Sequence, residues 1–335
     1  RLVAGRTNRQ HKTWVCPYCL HPFRDEHTFQ KHLPDCQIHK PQTVEFPEDN
    51  NTKFKNVQYQ FQVPFAIYID FESFLAPSTD PGVVSIHEPS GFALFRVSQW
   101  SQFQKGPIVY SGVDVMDEFY RAIMEEKREI NDLLSRDEKM VALTSEEKCE
   151  FAAATTCVYC KDRFTRENYR VRHHCHITGA YIGPACRNCN LQLKLRKEKH
   201  QYFIPVYAHN MQRYDSHIIL KHFQQKLANI DEVKVIPSNT ENFITFSFGN
   251  LRFLDTCRFL TSSLDNLVSV LRKSGDQKFI HTLEHFKDKK ADLVLEKGIY
   301  PYEYATCRER FFETELPPKD AFYSALTEEC LTDVD

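Results

Sequence analysis

The sequence lacks any run of eighteen apolar residues, so we expect no membrane-spanning helix. It has no signal-peptide pattern, and because it begins at Arg1 rather than Met we expect a fragment or a trimmed product. It also lacks an excess of charge of one sign, since 43 Lys and Arg stand against 45 Asp and Glu, and it contains no internal repeat or low-complexity tract. A chain of 335 residues with this ordinary composition predicts two or three globular units with one sizeable core.

Twelve cysteines are present, and their spacing is typical of zinc ligands rather than of a secreted disulfide framework. The first group has the pattern C-x2-C-x12-H-x3-C, formed by Cys16, Cys19, His32 and Cys36. Two thiolates, an imidazole and a third thiolate suit a tetrahedral structural zinc ion. Residues 14–36 therefore predict a small ββα zinc finger, which either contacts nucleic acid or serves as a packing or protein-contact module. Paired C-x2-C cysteines also favour a reducing, intracellular compartment.

The second group is formed by Cys157, Cys160, Cys186 and Cys189, which predict a structural zinc site of four thiolates. Residues 161–200 around it hold ten Lys and Arg against three Asp and Glu, whereas residues 117–150 hold eleven Asp and Glu against six Lys and Arg. The basic block is either a phosphate-contacting surface or simply a solvated face.

Apolar patterning outside the cysteine groups predicts an α/β fold with a mixed sheet. We predict strands at residues 65–71, 92–97, 107–111 and 203–207 and a hairpin at residues 244–254 with a turn at Gly249. Helices are predicted at residues 115–134, 215–227 and 263–273.

Carboxylates follow or end several of these strands. Asp70 and Glu72 are two residues apart on one strand, so their side chains share a face and can bind divalent metal together. Asp215 lies in the segment His209-Asn-Met-Gln-Arg-Tyr-Asp215, directly after another strand, and Asp255 ends the hairpin. A lone D-x-E pair is a weak signal, but this series of segments is more specific.

In this order the segments resemble the 3′–5′ exonuclease domain of family B DNA polymerases, and the order β-β-β-α-β-α matches the RNase H-like exonuclease fold. The resemblance implies that Asp70, Glu72 and Asp215 are catalytic ligands of Mg²⁺ or Mn²⁺. It also implies nucleic-acid-binding roles, in positioning the 3′ end of a DNA strand, for Asn210, Tyr214, Ser263 and Leu264.

The second cysteine group, with His173-His-Cys-His-Ile-Thr-Gly179 between its halves, resembles the endonuclease VII-like ββα-metal nucleases. His174, His176 and Asn190 match that family's motif, but His173 stands where the family has a metal-binding Asp. A neutral imidazole is a poor replacement for a carboxylate on a hard cation. We therefore expect a degenerate nuclease site in a zinc-stapled, DNA-binding insert.

Nearly the whole chain is similar to the N-terminal part of the protein-primed family B polymerases of Maverick/Polinton transposons, through these motifs and the segments Lys297–Tyr304 and Leu316–Tyr323. The resemblance implies a zinc finger at 1–40, a linker at 41–60 and an RNase H-like 3′–5′ exonuclease core at 61–150 and 201–275. It further implies a zinc insert at 151–200 and a C-terminal extension at 276–335, leading toward an absent polymerase palm.

A Tyr-x3-Asp motif, which supplies the last carboxylate in such exonucleases, does not follow Ser263 in this sequence. For Asp255 we favour a structural role. We expect a protein that binds zinc and DNA, with weak or no exonuclease activity alone and a polymerase part as partner in any longer chain. The alternative is a catalytically inactive, zinc-dependent nucleic-acid-binding or protein-interaction remnant. DNA as a partner implies a nuclear location, although no basic localisation run is present.

Overall fold

The computed structural model describes residues 13–39, 48, 62–83, 85–193, 202–226, 233–239, 242–286, 289–324 and 328. The chain divides into two compact units, Arg1–Lys55 and Asn56–Asp335. Apart from Glu48, the predicted linker at 41–60 lies outside the described residues, as do residues 194–200 of the predicted insert and parts of the predicted extension.

The first unit has the ββα order predicted for residues 14–36. Strands β1 (Trp14–Val15) and β2 (Pro22–Phe23) pair antiparallel and are followed by helix α1 (Glu26–Gln37). Asp25 begins the helix, because its carboxylate accepts a hydrogen bond from the amide of Thr28 at 2.8 Å. The rings of Trp14, Phe23 and Phe29 form the small apolar centre of the unit.

A seven-stranded mixed sheet forms the centre of the second unit, in the order β5-β4-β3-β8-β11-β10-β9. Its strands are β3 (Phe65–Pro77), β4 (Ser85–Ser98), β5 (Ile108–Ser111), β8 (Ile204–Ala208), β9 (Val233–Pro237), β10 (Phe243–Phe248) and β11 (Leu251–Asp255). Strands β3, β8 and β11 run parallel, and the remaining neighbours pair antiparallel. The prediction of an α/β fold with a mixed sheet is confirmed.

Two helices cover one face of this sheet, α2 (Val115–Leu134) and α5 (Asp215–Lys226). Helix α2 buries a stripe of apolar residues, and its Phe119 packs against Phe71 of β3 with ring centroids 4.7 Å apart. Phe223 of α5 joins the same cluster through Phe119 and through Phe248 of β10. Burial of these rings stabilises the sheet–helix interface.

A group of charged side chains lies between strand β4 and helix α2. Arg96 of β4 is 4% exposed, and its guanidinium contacts the carboxylates of Glu126 and Glu129, both at 2.9 Å. The Lys105 ammonium reaches the same two carboxylates. Two cations thus balance two anions, which is the condition for tolerating a buried carboxylate such as that of Glu126.

Between α2 and β8 the chain forms helix α3 (Ser145–Ala153), strands β6 (Arg170–His174) and β7 (Tyr181–Cys186), and the short helix α4 (Arg187–Gln192). Helix α3 begins with a capping box, in which the Thr144 hydroxyl and the Glu147 carboxylate each accept from the other residue's amide. Strands β6 and β7 form a two-stranded sheet of their own.

After β11 the chain continues through α6 (Leu264–Arg272), α7 (Ile280–His285) and α8 (Lys289–Val294) and two short 3-10 helices, Arg308–Phe312 and Lys319–Phe322. Phe311 packs on Phe74 of β3, with ring centroids 4.9 Å apart. None of the helices in the described part of the chain combines the length and apolar character that a membrane span requires.

Apart from β3 and β4, the predicted elements agree with these bounds to within one or two residues, and the helix at 115–134 agrees at both ends. Strands β3 and β4 are longer than predicted, and the turn glycine of the β10–β11 hairpin, Gly249, has a φ of 58°. Strand β9 and helices α3, α7 and α8 were absent from the sequence prediction.

Candidate active site and zinc sites

Asp70 and Glu72 lie on the face of β3 that points away from helix α2. Their neighbours Ile69 and Phe71 point the other way, into the core, because side chains alternate along a strand. The pairing of β3 with β4 shifts register directly after Glu72, and Ser73 and Phe74 are both buried beyond that shift. The two predicted carboxylates therefore share one face and precede a bulge.

The third predicted carboxylate, Asp215, begins helix α5 and is 6% exposed. Burial, the largest cause, and the negative charges of Asp70, Asp255 and Glu72 together raise the pKa of Asp215 to about 7. Strands β8 and β11 pair Ala208 with Asp255, so both end at the edge where Asp215 lies. Carboxylates from separate segments of the chain thus share one electrostatic environment.

The two carboxylates of β3 are perturbed in the same direction. Burial raises the pKa of Glu72, and so does the charge of Asp70. The Asp70 residue reaches solvent, yet the protein atoms around its carboxyl group raise its pKa as well. The neighbouring His209 acts on the Asp70 pKa in the opposite direction and lowers it. Carboxylate oxygens are the donors that a hard divalent ion such as Mg²⁺ or Mn²⁺ prefers. The oxygen atoms of these carboxylates are spaced more widely than the ligand atoms of the two cysteine groups. Within each cysteine group, all ligand atoms lie within 4.8 Å of one another.

Asp255 is almost completely buried, and backbone amides occupy both of its oxygen atoms. One oxygen accepts from Asn210 and Cys257, each at 2.9 Å, and the other accepts from Gln212 at 3.1 Å. These bonds fix the turn between β8 and α5, in which Asn210 has a φ of 62°. The structural role predicted for Asp255 agrees with these bonds.

Two tyrosine hydroxyls complete the surroundings of the carboxylates. The Tyr214 hydroxyl donates to the Ser73 hydroxyl and so ties the turn before α5 to β3. The Tyr302 hydroxyl lies 3.4 Å from Glu72 Oε2, and burial together with the Glu72 charge raises the pKa of Tyr302 to about 12. Sequence reasoning did not assign Tyr302 to this site, although it lies in the segment Lys297–Tyr304, because its contact with Glu72 spans 230 positions.

The other predicted nucleic-acid-binding residues line an open groove of about 510 Å³. Asn210, Ser263 and Leu264 are brought together there with His209 and Cys257. The His209 ring joins the walls of the groove, with Nδ1 2.8 Å from the Thr256 hydroxyl and Nε2 3.0 Å from the Ser262 carbonyl. Leu264, at the start of α6, is 59% exposed. The predicted residues therefore separate into a carboxylate group that includes Tyr214 and a groove group.

The first cysteine group is assembled as predicted. The ligand atoms of Cys16, Cys19, His32 and Cys36 all lie within 4.8 Å of one another. Burial alone would raise the pKa of Cys16, but hydrogen bonds from the backbone amides of Cys19 and Tyr18 outweigh it and lower the pKa to about 6. Burial and the neighbouring sulfurs raise the pKa of Cys36 to about 12. Such thiols ionise together only around a cation, so the donor set fits zinc.

The second cysteine group is assembled in the same way by Cys157, Cys160, Cys186 and Cys189. Four thiolates around a tetrahedral zinc ion lie about 3.8 Å apart. The sulfurs of Cys160 and Cys186 are 3.9 Å apart, and amides of the loop point at the buried sulfurs, as Cys186 does toward Cys157 at 3.2 Å. The eleven cysteines in the described residues are free thiols. Both predicted zinc-type clusters are therefore present.

Basic side chains around the second cluster lie in two different environments, one packed and one exposed. Arg170 donates to the carbonyls of Ala152 and Ala154 and lies over the Phe151 ring, so it holds α3 against β6. Arg163 is exposed at the rim of a cleft of about 620 Å³ beside it. The part of the predicted basic block that follows residue 193 lies outside the described residues.

The predicted degenerate nuclease site lies on β6 and α4. Nδ1 of His173 is 2.7 Å from the side-chain oxygen of Asn190, and Nδ1 of His176 is 2.7 Å from Asp137. The rings of His174 and His176 are 4.7 Å apart. At the position where the ββα-metal nucleases have an Asp, this chain thus has the buried imidazole of His173, which contacts the side-chain oxygen of Asn190. A carboxylate donor set for a hard cation is not assembled among these described residues.

No protein-family model matches the chain, and no curated protein or solved structure matches it either.

Proposed function

We propose that the carboxylate edge of the sheet is the metal-dependent site of a 3′–5′ exonuclease acting on DNA. On this proposal the chain is the N-terminal, exonuclease-like part of a Maverick/Polinton-type family B DNA polymerase with an RNase H-like core. The observation that carries the proposal is the convergence of Asp70, Glu72 and Asp215, whose charges act on one another although they come from distant segments. The element order β-β-β-α-β-α of β3, β4, β5, α2, β8 and α5 supports the fold assignment.

Each side chain has a role that follows from its position. Asp70, Glu72 and Asp215 would hold Mg²⁺ or Mn²⁺, which when bound polarises a phosphodiester and lowers the pKa of a water molecule. The Tyr302 hydroxyl orients Glu72, and the Tyr214 hydroxyl holds its own turn against β3. Asn210 and Ser263 present polar groups in the adjoining groove for the end of a DNA strand.

The test is degradation of a 5′-labelled, 3′-single-stranded DNA by the full zinc-loaded chain with Mn²⁺. We expect loss of nucleotides from the 3′ end, and its disappearance in Asp70→Ala. A matched control is Asp80→Ala, which removes an exposed carboxylate on the loop between β3 and β4. Equal activity in wild type and Asp70→Ala, or equal loss in both variants, would refute the assignment.

A second candidate function is DNA binding without chemistry. It is favoured by Asp255, whose oxygens are occupied by three backbone amides and which therefore does not offer an open fourth carboxylate. In this case the zinc-stapled units retain nucleic-acid contact while cleavage is absent. The same assay separates the two functions, because the second predicts no degradation but DNA binding that weakens steeply with salt. Zinc units that contact only protein predict no DNA affinity at low salt.

A further inference from the structure

Three aromatic side chains form a row on the face of the sheet that carries Asp70. Tyr68 of β3 is the register partner of Tyr207 of β8, and their ring centroids are 5.5 Å apart. Phe259 follows β11 and packs against Tyr207 at 6.2 Å. We name Tyr68, Tyr207 and Phe259 the aromatic row. Tyr68 is 46% exposed and Phe259 is 60% exposed, so two of the three rings present large areas to solvent.

The aromatic row lies beside both parts of the candidate site. Tyr68 precedes Asp70 by two residues on the same face, a distance of about 7 Å along a strand. Tyr207 is three residues before Asn210, and Phe259 is four residues before Ser263, so the row adjoins the segments that line the groove. A strand whose end lies at the carboxylates would therefore pass next to these rings.

The chemistry of the row indicates what binds it. Carboxylates repel phosphates wherever no cation lies between them, so uncharged flat surfaces are suited to supply binding energy on this face. Nucleobases have such surfaces, and base–aromatic stacking does not depend strongly on sequence. Arg258, between Cys257 and Phe259, is exposed and donates one guanidinium hydrogen bond to Gln212 Oε1 at 3.0 Å. Its positive charge lies at the end of the row, where a phosphate could meet it.

We propose that the aromatic row stacks the unpaired bases next to the 3′ end of a single-stranded DNA. This inference deepens the proposed function and rests on it for the position of the 3′ end. Paired bases in a duplex hide their faces against one another, so the row selects single strands over duplexes. The row adds an aromatic binding surface to the groove formed by Asn210, Ser263 and Leu264.

The test measures binding of the full zinc-loaded chain to three fluorescent probes, with Ca²⁺ as the hard cation at the carboxylates. The probes are a single-stranded 12-mer DNA, the same strand with abasic sites at its last four 3′ positions, and the corresponding duplex. We expect Tyr68→Ala and Phe259→Ala each to weaken binding of the base-bearing strand roughly 5- to 150-fold. Binding of the abasic strand should remain unchanged, since it keeps every phosphate.

Two controls keep the result specific to stacking. Tyr68→Phe retains the ring and should bind the single strand as wild type does. Phe312→Ala removes an aromatic ring outside the row that is 75% exposed, and it should also leave binding unchanged. Equal losses for base-bearing and abasic strands, a loss in Phe312→Ala as large as that in Phe259→Ala, or duplex binding as tight as single-strand binding would each overturn the proposal.

The outcome is distinguishable from that of the exonuclease proposal. Row-dependent binding of bases without any degradation in Mn²⁺ refutes only the exonuclease. Degradation that depends on Asp70, combined with wild-type binding by Tyr68→Ala and Phe259→Ala, refutes only the aromatic row.

Discussion

Asp215→Asn is expected to stabilise the protein at pH 8 in the absence of Mg²⁺ and Mn²⁺. The substitution keeps the shape of the side chain and removes the charge that conflicts with Asp70, Glu72 and Asp255. A raised folded-state pKa means that the folded protein prefers protonated Asp215. The resulting stability is fully present below the unfolded pKa near 3.8 and is lost as the pH rises through about 7.

The magnitude follows from the two pKa values. A rise in the Asp215 pKa from 3.8 to about 7 on folding lowers the free energy of unfolding by about 4 kcal/mol at pH 8 and by about 2 kcal/mol at pH 5. From pH 5 to pH 8, the free energy of unfolding of wild type should therefore fall by about 2 to 3 kcal/mol more than that of Asp215→Asn. A smaller opposing effect comes from the helix dipole, because an acidic residue in the first turn of α5 contributes about 0.3 to 1 kcal/mol.

Urea unfolding of zinc-loaded wild type and Asp215→Asn at pH 5, 6, 7 and 8 measures this difference. Chelators are omitted because they would remove zinc, and titrations common to both proteins cancel in the comparison. Adding Mn²⁺ at pH 8 should stabilise wild type and not the variant, since binding to the folded state alone is stabilising. A difference that stays below about 0.5 kcal/mol across the range, or a destabilised variant at pH 8, would refute the reasoning.

Three further substitutions test other parts of the structure. Asp255→Asn should destabilise by about 1 to 3 kcal/mol in urea unfolding, opposite in sign to Asp215→Asn, because an amide nitrogen replaces an acceptor of buried backbone amides; an unchanged midpoint would contradict this role. Arg96→Leu should cost about 3 to 5 kcal/mol by leaving Glu126 buried beside fewer cations, and the double variant with Glu126→Leu should recover much of the loss if the charge is responsible. Cys157→Ser should lower the zinc content by one ion per chain in atomic absorption and increase protease cleavage within residues 151–193, and an unchanged zinc content would exclude Cys157 as a ligand.

The sequence was sufficient for elements whose apolar residues recur with a regular period. Helix α2 was predicted at both ends because its apolar stripe is long, and the β10–β11 hairpin because Gly249 separates two apolar runs. Strand β9 was missed because it is short, mostly exposed and ends in a proline. Helix α3 was missed although Thr144 and Glu147 have the spacing of a capping box, which was a usable signal.

Side-chain chemistry was less predictable than backbone. Spacing alone was enough to predict the two zinc-type clusters, since their ligands are close in sequence and tightly constrained. The environment of Asp215 depends on Asp255, whose contribution to the local charge no motif indicates. The buried Arg96 is compensated only through a strand-to-helix contact that requires the whole fold.

The contact between Tyr302 and Glu72 has a consequence for the order in which the site forms during synthesis. The two residues are 230 positions apart, and a ribosome that adds about 5 to 20 residues per second needs about 10 to 50 s to proceed from one to the other. Helix α5 and strand β11 are synthesised within that interval, so all of the carboxylates are present in the chain before Tyr302 is added. Until that point Glu72 has no contact with the Tyr302 hydroxyl, so this contact can form only late in synthesis.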